Sequence, residues 1–113
     1  MNREKTKISS ITKELINYFL MHDAKDIDLK IRVKEDKTEI NIHSDNIGFT
    51  EDDIENIRNL LNADREIENE EYYWQVIGVS SEGEELSAIG AMVDEVNIKW
   101  NKPSLEIHLI RKK

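Results

Sequence analysis

Few residues in this sequence are placed for chemistry. There is no cysteine among the 113 residues, which removes disulfides, thiolate metal sites and thiol nucleophiles. His22, His43 and His108 stand far apart, with no HxxxH or HExxH spacing, so each defaults to a surface histidine. No GxSxG elbow is present, and Ser80 in "SSEG" fits a helix cap. Two places remain. In "INIHSDNIGFTEDDIENI", Ile40 to Ile57, a single glycine, Gly48, sits between an alternating apolar pattern and a capped helix pattern. Asp45, Asn46 and Phe49 share that loop. In "EGEELS", Gly83 precedes Glu84 and Glu85 where a third helix opens. Carboxylates there stabilise a helix N-terminus, and a metal-bridged or acidic functional site is the sharper alternative.

The elements that must position these residues follow from periodicity. Ile8, Ile11, Leu15, Phe19 and His22 recur at helical spacing with Tyr18 beside them, which predicts a helix over 5–22. "IDLKIRV" alternates, with Ile27, Leu29, Ile31 and Val33 on one face, and predicts a half-buried strand. "KEDK" turns, and "TEINIHS" alternates again to complete a hairpin. Thr50 and Asp53 form a capping-box-like pair before Ile54, Ile57, Leu60 and Leu61. "NADREIENEE" has no apolar face and predicts a loop or a frayed helix end. "YYWQVIGV" predicts a strand. "SSEGEELSAIGAMVDE" predicts a helix whose apolar face uses Leu86, Ile89, Met92 or Val93, and Val96. Gly90 within it costs about 1 kcal/mol relative to alanine, a cost that close packing against the sheet would justify. "EVNIKW" and "SLEIHLI" form a second hairpin across "NKP".

The expected order is α-β-β-α-β-α-β-β in one domain, residues 1–113. Strands with one apolar and one charged face need helices on one side only. The fold class expected is α+β: a two-layer α/β sandwich with a largely antiparallel or mixed sheet and its helices on one face.

The formal net charge is −8. Acidic residues crowd between Glu51 and Glu71, opposed only by Arg58 and Arg65, and basic residues gather in "REKTK" and "RKK". Such a field repels phosphate backbones and disfavours nucleic-acid binding. The acidic cluster is expected to be a solvated face. "MNREKTKISS" lacks the apolar run of a signal peptide, and no stretch approaches a membrane span. A cytoplasmic protein without membrane contact is the expectation.

The strand–loop–helix at Ile40 to Ile57 resembles the histidine-kinase branch of the GHKL ATPases, the Bergerat fold. Members carry an Asp-x-Gly-x-Gly loop there, and this sequence lacks one of the glycines. "EGEELSAIGAMVDEV" is similar to the family's second glycine-rich helix start, with Gly83 kept but Glu85 and Ser87 at later glycine positions. Asn17 falls about where the family holds Mg²⁺. Tyr18 replaces the small residue that usually follows, and an alternative register puts Met21 at the metal position. The resemblance runs from about Thr12 to Arg111. It implies a nucleotide pocket of Asn17, Asp45, Asn46, Gly48, Phe49, Gly83 and Glu85, with Asp45 accepting from the adenine amino group. It implies Mg²⁺ at Asn17 only if ATP is bound.

The departures weigh against a working site. Glycines let backbone approach a ring closely and adopt positive φ, and one is missing. A helix N-terminus holds phosphate through its N–H groups. A carboxylate about 4 Å from a phosphate costs about 4 kcal/mol at an effective dielectric of about 20, which, without a metal between the two, would cancel such a site. A gyrase-type ATPase also needs a glutamate four residues before the asparagine. Lys13 stands there, Glu14 is one residue late, and Glu14 is expected at the surface. No catalytic residue is assigned. Tyr72, Tyr73 and Trp74 occupy the family's lid region. They suit core and edge packing, or a patch for a protein partner or a homodimer.

The expectation is a degenerate GHKL-type domain with eroded nucleotide loops and no cofactor. It would serve as a stand-alone regulatory or protein-binding module in signalling. The alternative is a small ATP-binding protein kinase of the anti-sigma-factor type that keeps Mg-ATP. A third reading is an unrelated α/β sandwich with no nucleotide history, which helices on both faces of the sheet would favour.

Overall fold

The computed structural model describes residues 3–61, 65 and 84–113. The elements are α1 (Arg3–Met21), β1 (Asp28–Val33), β2 (Lys37–Ser44), α2 (Glu51–Leu61), α3 (Glu84–Gly90), β3 (Glu95–Asn101) and β4 (Ser104–Lys112). The strand expected over Tyr72–Val79 and the cap expected at Ser80 lie outside the described residues.

Two hairpins make the sheet. β1 pairs with β2 and β3 with β4, and the two inner strands join them in the order β1-β2-β4-β3. All three pairings are antiparallel. The second hairpin turns on Lys102 and a cis Pro103 between the paired Asn101 and Ser104. A cis proline at the third position is the type VI arrangement.

Alternation sorts the residues of the inner strands. Ile40, Ile42, Leu105, Ile107 and Leu109 are buried, each at most 1% exposed. Ile8, Ile11, Leu15 and Phe19 of α1, Ile54, Ile57 and Leu61 of α2, and Leu86 and Ile89 of α3 complete one core with them. Each such side chain contributes about 1.5–3 kcal/mol when fully buried. The described helices therefore share one face of the sheet. The other face carries two polar rungs, Asp28–His43–Glu106–Lys99 and Lys30–Asn41–His108–Asn97, and a third, Arg32–Glu39–Ile110–Glu95, that is polar but for Ile110. This is an α+β domain with an antiparallel sheet, compatible with a two-layer sandwich.

Four expectations need correction. β1 is exposed along its whole length rather than half-buried, because no described helix covers it. α3 ends at Gly90, so Met92, Val93 and Val96 are not on a helix. Gly90 packs against α2, not the sheet: a Cβ there would meet the carbonyl oxygens of Leu60 and Leu61 at 3.0 Å. Glu14 is buried, as is Lys7 seven residues earlier on the same side of α1.

Two ties close the ends of α1. Asp23, at φ 61°, ends the helix in the left-handed region. Its N–H donates to Leu20 O and that of Ala24 donates to Phe19 O, the Schellman arrangement. At the other end Glu4 receives Arg111, whose Nε and Nη2 lie 2.8 Å from its two carboxylate oxygens. Arg111 is 1% exposed, and its Nη1 also donates to Met92 O at 2.7 Å.

Candidate functional site

The loop of residues 45–50 begins where β2 runs out. Ser44 is fully buried, and its hydroxyl lies 3.2 Å from Asp26 Oδ1 and 3.1 Å from Asn46 O. The Asp26 carboxylate accepts the Asp45 N–H at 3.1 Å. The Asn46 N–H donates to Ser44 Oγ at 3.3 Å. Those of Ile47 and Gly48 donate to Pro103 O and His22 O, both at 2.9 Å, and that of Phe49 turns back to Ile47 O. The Thr50 N–H donates to Asp53 Oδ2 at 2.9 Å, and Thr50 Oγ1 accepts from Asp53 N–H, which completes the expected capping box. Every backbone N–H from Asp45 to Thr50 thus has an acceptor within the protein.

Gly48 has its own structural reason. A Cβ there would lie 3.1 Å from the His22 carbonyl oxygen. The missing side chain lets this loop close onto the turn after α1, and the Lys25 N–H to Asn46 O bond at 2.9 Å fastens the same seam.

Phe49 is 2% exposed. Its ring centroid lies 4.6 Å from His22, 5.8 Å from Tyr18 and 6.1 Å from Trp100. His22 is therefore a half-buried member of an aromatic cluster and not a surface histidine. Trp100 Nε1 donates to Glu51 Oε1 at 3.2 Å, which ties the start of α2 to β3.

Asp45, Asn46, Gly48 and Phe49 share this loop. Asn17 looks elsewhere: it lines a groove of about 300 Å³ with Ser9, Thr12, Lys13, Ile16 and Ile31. Adjacent residues on a helix point about 100° apart, so the residue that α1 presents to the loop is Tyr18. Gly83 and the partner candidates Tyr72, Tyr73 and Trp74 lie outside the described residues. Glu85 is placed at the start of α3 by its backbone alone. Among the described residues no group of three or more His, Asp or Glu is arranged to hold a metal ion.

Individual motifs pass over one surface, the polar face of the sheet. A shallow basin of about 630 Å³ lies there, walled by Asp28, Lys30, Arg32, Glu39, Asn41, His43, Glu106 and His108. His43 Nε2 is 3.2 Å from Ser104 Oγ and 3.4 Å from Asp45 Oδ1, and Nδ1 is 3.8 Å from Asp28. His108 Nε2 is 3.3 Å from Glu39 Oε1. The Lys34 ammonium, 2.7 Å from Glu39 Oε2, holds the Glu39 carboxyl below its ordinary value against the opposing effect of burial, with Lys37 and His108 adding favourable charge. Polar alternation in both hairpins signals such a face, but only the register shows which charges meet. The mixture of signs suits a protein surface better than a phosphate.

No protein-family model, curated protein or solved structure matches the chain. No helix among the described residues is long and apolar enough to cross a membrane.

Proposed function

We propose that this chain is a regulatory or protein-binding module in signalling, built on a histidine-kinase-ATPase-like scaffold whose adenine loop is closed. The supporting observation is the consumption of all backbone N–H groups from Asp45 to Thr50 by acceptors within the protein. Phe49, wedged among Tyr18, His22 and Trp100, fills the space beneath. The order of helix, hairpin and helix, then helix and hairpin, with the described helices on one face, accords with the scaffold. Opening the loop would break several hydrogen bonds, each worth about 0.5–1.5 kcal/mol net, and would expose an aromatic core. Isothermal calorimetry with Mg-ATP tests the proposal: no binding is expected at micromolar ligand, and Mg²⁺-dependent micromolar affinity overturns it.

One feature favours the alternative, an ATP-binding kinase of the anti-sigma-factor type with Mg²⁺ at Asn17. The Asp45 side chain is 78% exposed, which leaves a carboxylate accessible to an amino group. On that reading Asp45→Asn weakens ATP binding; on the favoured one it leaves nothing to weaken.

A further inference from the structure

β1 has one strand neighbour, β2, and its other edge is open among the described residues. Most of the large apolar side chains that the described residues expose lie on this side of the molecule. They are Leu29, Ile31 and Val33 at 37%, 40% and 70%, with Leu20 of α1 at 56%. Leu20 lies four residues after Ile16 and so extends the flank of α1 that borders the groove over Ile31.

The phase of the open edge follows from the hairpin. The Lys34 N–H donates to Lys37 O at 2.8 Å, which makes those two residues a hydrogen-bonded pair. Pair types alternate along an antiparallel ladder. The backbone groups of Asp28, Lys30 and Arg32 thus turn toward β2, and those of Leu29, Ile31 and Val33 turn outward. An edge of six residues is about 20 Å long and carries no proline or bulge to blunt it.

We infer that β1 pairs with β1 of a second copy of this chain, antiparallel, about a two-fold axis through Lys30. The two four-stranded sheets become one continuous sheet. The occupant is chosen by the sequence "DLKIRV", which is complementary to its own reverse. With Lys30 opposite Lys30, Asp28 of each copy faces Arg32 of the other, and Leu29 faces Ile31. The outward backbone groups of Leu29 and Ile31 then bond reciprocally. Opposite charges and apolar pairs across strands each favour pairing. Centring on Ile31 instead sets Lys30 against Arg32 twice, and centring on Leu29 leaves only Asp28 to Lys30 and Leu29 to itself paired within the strands. The one like-charged contact, Lys30 on itself, lies on the solvated face where two long side chains can diverge. The exposed flanks of the two α1 helices come to lie on either side of the axis. This inference does not depend on the proposed function.

Sedimentation velocity of the full chain from about 1 to about 200 µM tests it, a range that brackets a modest interface. A concentration-dependent dimer is expected. Asp28→Arg and Arg32→Asp each set like charges opposite one another twice, and each is expected to weaken association about tenfold or more. The double variant D28R/R32D restores the pairing and should return affinity to within about threefold of the parent. Ile31→Lys should abolish the dimer while leaving the circular dichroism of the monomer unchanged. A parent chain that stays monomeric throughout the range, with the edge left to a heterologous strand, overturns the inference. So do single reversals without effect, a double variant that fails to recover, or an Ile31→Lys protein that still dimerises.

Discussion

The two edge strands have nearly the same pattern and opposite fates. β1 reads "DLKIRV" and β3 reads "EVNIKWN", each alternating charged or polar with apolar. Val96, Ile98 and Trp100 pack against the core. Leu29, Ile31 and Val33 occupy the same face at the other margin and are exposed. The difference lies outside both strands. α2 lies against β3, and its first residue, Glu51, holds the Trp100 indole. α1 runs beside β1 without covering it. Alternation tells which face a side chain takes, and only the neighbouring layer tells whether that face is dry.

The strongest test of this contrast pairs one substitution on each edge. Trp100→Ala should cost about 2–3 kcal/mol, since it empties a site beside Phe49 and leaves Glu51 without its donor. Ile31→Ala should cost about 0.5 kcal/mol or less, as surface changes do. Urea denaturation at low protein concentration measures both, and similar losses would dissolve the contrast. Next comes the helix that covers β3. Gly90→Ala should destabilise by about 1 kcal/mol despite the gain of similar size in helix propensity, because the new methyl meets two α2 carbonyls at 3.0 Å. A stabilised variant would show that α2 shifts freely and that the cover on β3 is loose.

On the β1 side the expected effects are smaller. Asp23→Gly relieves a left-handed aspartate just before the link to β1 and should raise stability by about 0.5 kcal/mol in the same assay. The smallest effect concerns the β1–β2 hairpin. The folded protein lowers the Glu39 pKa, mainly through Lys34 at 2.7 Å. Its stabilisation is therefore complete above the ordinary glutamate range near 4.5 and is lost as pH falls through the lower folded value. Lys34→Ala should flatten the acid side of a thermal-melt profile over that window. An unchanged slope would mean that the turn after β1 adds nothing to the edge.

Much of the architecture was legible because it rests on local period. The stripe on α1, the Thr50–Asp53 box and both hairpins follow from residues a few positions apart, and the structure has them. Glu14 and Gly90 were not legible, since burial and close approach depend on elements far away in sequence. The end of α3 escaped for a related reason: Val93 and Val96 satisfy a helical spacing but serve a turn and a strand. At the candidate site, the grouping of Asp45, Asn46, Gly48 and Phe49 was visible. The role of Gly48 was not, because a glycine kept for a ligand and one kept for the His22 carbonyl look alike in one dimension. Asn17 was placed by its distance from a strand, a measure that cannot say which side of the helix faces the loop.

The Glu4–Arg111 clamp has a topological consequence. It fastens side chains separated by 107 positions, so the path of the fold leaves and returns at nearly the same place. A short linker between the start of α1 and the end of β4 would close only a small gap, and loop-closure entropy grows slowly with length. New ends could then open at the exposed turn of Glu35 and Asp36. For the same reason the whole unit could be spliced into a surface loop of another protein without prising that loop apart.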